Sequence, residues 1–136
     1  EQYPAIRQYM DDQIAFAREH GYVQTLKSRR RYLRDINSKN SVVRGFAERN
    51  AINAPIQGSS ADMIKIAMIN IHDYLVEHNM KTKMTLQVHD ELIFDVHHDE
   101  LETVKKAVKK YMKEAMPLSI PIVVDINKGN NWLEAH

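Results

Sequence analysis

The sequence predicts an α+β fold in which an antiparallel β-hairpin or small sheet packs on helices, and three observations carry that expectation. Residues 84–97 alternate apolar and polar on both sides of a short polar connection. Long stretches before and after them repeat apolar residues at helical spacing, and the helical segments are segregated from the hairpin along the chain. At 136 residues the chain has the size of one domain and can bury a core. No apolar run approaches the length of a membrane span and no signal peptide is visible, so no membrane partner is expected. The absence of cysteine excludes disulfides and thiolate metal sites and fits an intracellular protein.

Residues 3–20 read as a helix. Pro4 sits where a helix tolerates proline, Ile6, Tyr9, Met10, Ile14 and Ala17 recur at helical spacing, and Gly21 is the stop. Residues 22–26 and 31–33 are β-prone arms around the basic turn Lys27-Ser28-Arg29-Arg30. Ser41 is placed to cap a second helix ending near Asn53, where Pro55 is expected to kink or break it. A long apolar helix then runs from Ile56 to near His78, with Ile64, Ala67, Met68, Ile71 and Leu75 as its core face. After the hairpin, a helix from Asp99 to near Ala115 turns Leu101, Val104, Val108, Tyr111 and Met112 inward and a lysine-rich face to solvent. Pro117 and Pro121 bracket a loop, residues 122–126 form a last strand, and Gly129 turns the chain into Trp132.

Net charge is only +1, but its distribution is uneven. Between Tyr22 and Asn50 eight basic residues face two acidic ones, a local basic patch. Within it Arg29, Arg30 and Arg31, with Tyr32 and Arg34 close by, have the character of a phosphate-backbone contact, although a basic turn also serves solubility alone. If the helix keeps its phase past Pro55, Arg49, Asn53 and Gln57 fall at i, i+4 and i+8 on one polar stripe. All three donate hydrogen bonds, which suits the minor groove, where A·T and T·A present the same acceptors. The alternative is the wet side of an amphipathic helix.

The hairpin is the chain's most informative stretch. Met84, Leu86 and Val88 on one arm and Leu92, Phe94 and Val96 on the other give each arm one apolar face. The connection Gln87-Val88-His89-Asp90-Glu91 has none of the Asn-Gly or glycine-rich signals of tight hairpins, so turn chemistry has yielded to something else. Asp90 and Glu91 place adjacent carboxylates at the tip, a donor type suited to Mg²⁺ in phosphoryl transfer. Two carboxylates on one turn hold two ions poorly, and no convincing third acid stands in this chain. Read without the rest of the sequence, the pair is more readily a solvated turn than a metal site.

Taken together, Arg29-Arg30-Arg31-Tyr32-Leu33, Phe46-Ala47-Glu48-Arg49, the run from Ala51 through Asn53, Pro55 and Gln57-Gly58-Ser59-Ser60 to Asp62, and Gln87-Val88-His89-Asp90-Glu91-Leu92 closely resemble the carboxy-terminal part of bacterial family A DNA polymerases. The resemblance covers essentially the whole chain, in order, and residues 131–136 look like that family's natural terminus. It implies a DNA-directed DNA polymerase, with the chain as a piece of the polymerase palm. By this resemblance Asp90 is a metal-binding catalytic aspartate, Glu91 its acidic neighbour, and His89 lies near the primer end. Arg49, Asn53 and Gln57 match residues that contact the primer–template minor groove, and Arg29 to Arg31 lie by the duplex backbone. The implied cofactor is Mg²⁺, and the implied partners are primer–template DNA and deoxynucleoside triphosphates. The expected setting is the bacterial cytoplasm, at the nucleoid.

Other parts of the family pattern are not found in this sequence: the second palm aspartate motif, the fingers helix that holds the triphosphate, and the thumb and exonuclease domains. With a start at Glu1, this suggests a piece of a longer polypeptide that is inactive alone. An edge left open beside the hairpin makes homodimerisation an expectation. The competing readings are a non-catalytic duplex-DNA-binding module and, with less support, a small metal nuclease.

Overall fold

The structure, a computed structural model, describes residues 3–136. They form two compact units, divided after Asp62. In the first, α1 (Pro4–His20) begins with proline in its first turn, where no helical N–H is lost, and ends at Gly21. Gly21 adopts φ +77° and donates its N–H to Ala17 O at 2.8 Å, a left-handed closure that glycine makes without Cβ strain. The chain then enters β1 (Tyr22–Gln24), antiparallel to β2 (Arg30–Tyr32), with Tyr22 opposite Tyr32 and Gln24 opposite Arg30. The turn between them is closed by Ser28 N–H to Thr25 O and Thr25 N–H to Arg29 O. Ala17, Val23, Leu33, Ile36, Ala47, Ala51 and Ala54 form the core of this unit.

Helix α2 (Ser41–Glu77) departs from the sequence expectation twice. Its cap is Asn40, whose Oδ1 accepts the Val42 and Val43 N–H groups at 3.0 and 3.4 Å, because a capping side chain belongs one residue before the first helical one. Pro55 lies inside a single unbroken helix rather than between two. Proline removes one i→i−4 bond, and a helix already propagating and packed on both sides survives that loss. Ser59 Oγ also donates to Pro55 O at 2.6 Å.

The second unit contains the rest of α2, the hairpin β3 (Lys83–Val88) and β4 (Glu91–Asp95), a 3₁₀ turn at His98–Glu100, α3 (Leu101–Glu114) and α4 (Trp132–Ala135). Ala67, Ile71, Leu75, Val104, Val108 and Ala115 are its core, with Leu92, Phe94 and Val96 packed against them. The hairpin is not a simple alternation. Met84 pairs with Phe94, but after a bulge at Thr85 the next pairs are Leu86 with Ile93, Gln87 with Leu92 and Val88 with Glu91. Residues directly opposite in an antiparallel ladder share a face, so the bulge moves Leu86 and Val88 away from the Leu92 and Phe94 side. Leu86 is accordingly 52% exposed.

The expected strand at residues 122–126 is not one: the segment pairs with nothing in either two-stranded sheet. β-prone residues without a partner edge make no ladder. No helix among the described residues is long and apolar enough to cross a membrane. The α+β class stands.

Candidate nucleic-acid interface and acidic hairpin tip

In the first unit a buried carboxylate organises the basic turn. Asp62, 9% exposed, accepts Thr25 Oγ1 at 2.6 Å and Arg29 Nε at 2.8 Å. Arg29 Nη2 reaches Gly58 O at 3.1 Å, and Leu26 N–H donates to Ser59 Oγ at 2.9 Å. Turn and helix meet so closely that a Cβ on Gly58 would stand 2.6 Å from Thr25 Cγ2. Glycine is required there by contact rather than by backbone conformation. Arg29 therefore spends two donors on the fold, while Arg30 and Arg31 stay exposed. Arg30 lies over the Tyr22 ring, 4.4 Å from its centroid.

Unbroken α2 keeps Arg49, Asn53 and Gln57 in the phase that the stripe requires, and all three are exposed. None of their side chains has a hydrogen bond or ion pair to another described residue; the Arg49 guanidinium only overlies the Phe46 ring at 5.9 Å. Three donors with no internal partner are available to a ligand. Gln57 also lines a hollow of about 90 Å³ with Arg29, Arg30 and Arg31, so the helix stripe and the basic turn meet on one surface of this unit.

In the second unit His89 and Asp90 form the two-residue connection of the hairpin, and Glu91 is already the first residue of β4. His89 adopts φ +52°. A side chain in the left-handed region costs about 1–2 kcal/mol, and glycine or asparagine would relieve it. Gln87 Nε2 donates to His89 O at 2.5 Å and holds the turn. Asp90 is exposed and has no hydrogen bond or ion pair among the described residues.

Glu91 shares its face with Val88, and its Oε1 lies 3.2 Å from His136 Nδ1. The two carboxylates are thus differently engaged, and no group of three or more His, Cys, Asp or Glu among the described residues could hold a metal ion. Sequence reasoning misses Asp62 and His136 as partners. The one signal for Asp62 is a lone acid at the head of an apolar helical run.

DNA polymerase I of Lactococcus lactis subsp. cremoris is 53% identical over 135 residues, and that of Streptococcus pneumoniae serotype 4 is 54% identical, each over 99% of this chain. The chain spans only 15% of the length of either. Among solved structures, the POL domain of Pol1 from M. smegmatis in complex with DNA primer-template and dNTP superposes with a TM-score of 0.93 at 43% identity, over 95% of this chain and 23% of that one. The sequence model of DNA polymerase family A matches residues 1–134, and the chain belongs to that family.

Proposed function

We propose that the protein containing this chain is a DNA-directed DNA polymerase, which adds deoxynucleotides to a primer 3′-OH in replication and repair. The chain is the carboxy-terminal, palm-side part of its polymerase domain. The observation that carries this reading is the family relationship along residues 1–134. The relatives are bacterial, and we place the enzyme in the bacterial cytoplasm, at the nucleoid where its DNA lies.

Each part of the site has a task. Arg49, Asn53 and Gln57 grip the primer–template minor groove, where their donors meet acceptors common to A·T and T·A. Arg30 and Arg31 neutralise backbone phosphates, and Arg29 adds charge while anchored to Asp62. His89 stands by the primer end. Asp90 fits a hard cation, since its carboxylate is exposed and without an internal partner, whereas Glu91 already has His136 beside it. Asp90, with Glu91 as a weaker neighbour, would hold Mg²⁺, which when bound acidifies the attacking hydroxyl and stabilises the leaving oxygen.

The test is Asp90→Ala in the full-length polymerase. Primer extension is expected to fall by at least about a thousandfold, with duplex affinity within about twofold, because a metal ligand is lost and no groove contact. Normal turnover would overturn the assignment. It would favour instead a duplex-binding module whose Asp90-Glu91 is only a turn.

A further inference from the structure

We propose that Tyr32 and Arg30 form a stacking site for an unpaired nucleotide base, so that the chain holds single-stranded template beside the duplex gripped by α2. The inference deepens the nucleic-acid reading above and rests on it. Register puts Tyr22 and Gln24 of β1 on one face with Tyr32 and Arg30 of β2, away from buried Val23. On that face the rings form a connected series. Phe16 stacks on His20 at 4.2 Å, Phe16 meets Tyr22 edge-on at 5.7 Å, and Tyr22 meets Tyr32 at 5.8 Å.

The Arg30 guanidinium already covers the Tyr22 ring, which leaves Tyr32, 67% exposed, as the ring open to a ligand. A lone exposed tyrosine needs no explanation. This one is held against a neighbouring ring that is itself packed on α1, so little side-chain freedom remains to be lost when a base stacks on it.

Charge selects the occupant. Residues 27–34 carry Lys27, Arg29, Arg30, Arg31 and Arg34 and no acid, which repels cationic partners and attracts a polyanion. An acidic peptide supplies charge but no planar face for Tyr32, whereas single-stranded nucleic acid supplies both, its bases stacking on aromatic rings and guanidinium planes. Duplex alone keeps its bases within the stack and cannot use the ring.

The experiment compares the affinity of the 136-residue chain for a blunt duplex, the same duplex with a 5′ template tail, and the same duplex with an abasic tail. The tail is expected to tighten binding about tenfold, the abasic tail to lose most of that gain, and Tyr32→Leu to abolish it while leaving blunt-duplex affinity unchanged. Tyr32→Phe is expected to retain the gain, and unchanged circular dichroism in Tyr32→Leu separates loss of the ring from loss of the fold. An equal gain from the abasic tail, or a gain that survives Tyr32→Leu, overturns the stacking site. Absence of binding to blunt and tailed duplex alike overturns the nucleic-acid reading and this inference with it.

Discussion

Asp62 shows how one side chain commits others. Its carboxylate is nearly buried and accepts from the Thr25 hydroxyl and the Arg29 guanidinium, so truncation leaves the buried Thr25 O–H without an acceptor, though its oxygen still accepts the Lys27 and Arg29 N–H groups, and leaves a cation without its carboxylate. The Arg29 side chain is half-exposed, which lets water recover part of the loss. Asp62→Ala is therefore expected to destabilise the chain by about 1–3 kcal/mol, and Asp62→Asn by less, since an amide oxygen still accepts from Thr25. Urea unfolding measures both, and an unshifted midpoint in Asp62→Ala would contradict the anchoring role. At this scale the sequence shows residue types but not engagements. Arg29, Arg30 and Arg31 look equivalent in a row, yet the first is held by an acid 33 positions away, a partnership visible only after turn and helix meet. Asp90 and Glu91 look like a pair, yet strand pairing sets Glu91 opposite Val88 and beside His136, while Asp90 stays at the tip.

Among the elements, the start of β3 is tied to the 3₁₀ turn before α3 by Glu100. Its carboxylate accepts the Lys81 and Thr82 N–H groups, each at 2.9 Å, and the Thr82 hydroxyl at 2.6 Å. The Lys81 N–H first, then the Thr82 hydroxyl, and last the charge of His97 hold its pKa below the usual carboxylate value. A depressed folded-state value means a stabilisation fully present above the ordinary carboxylate range and lost as pH falls through the lower folded value. Glu100→Gln is expected to lower the melting temperature near neutrality and to flatten its decline on acidification, as followed by circular dichroism from pH 7 to 3. A parallel decline in both proteins would rule the contact out as an acid-sensitive tie. Periodicity locates α1, α3, the apolar second half of α2 and the β3–β4 hairpin, because burial imposes it, while β-prone arms around a basic turn locate β1 and β2. It fails where one residue changes the rule locally. The Thr85 bulge reverses the faces of Leu86 and Val88, Pro55 is absorbed by flanking packed turns, and residues 122–126 lack the partner that β-propensity presupposes.

For the whole molecule, catalytic capacity depends on how many hard ligands converge on one point. A centre using two divalent ions about 3.5–4 Å apart needs bridging oxygens from several carboxylates, because each Mg²⁺ demands near-octahedral oxygen coordination. Asp90 and Glu91 are adjacent in sequence, the His136 imidazole lies 3.2 Å from Glu91, and no group of three or more His, Cys, Asp or Glu among the described residues could hold a metal ion. The donor stripe and basic turn ask for no such convergence, since groove and backbone contacts form one by one along a duplex. Binding and chemistry should therefore separate. The purified 136-residue chain is expected to bind primed duplex with an affinity that falls as salt rises, and to show no extension with Mg²⁺ and all four deoxynucleoside triphosphates. Extension that requires Mg²⁺ and disappears in Asp90→Ala would show that these two carboxylates suffice, against the coordination argument. Salt-independent binding would show that Arg30 and Arg31 do not meet phosphates.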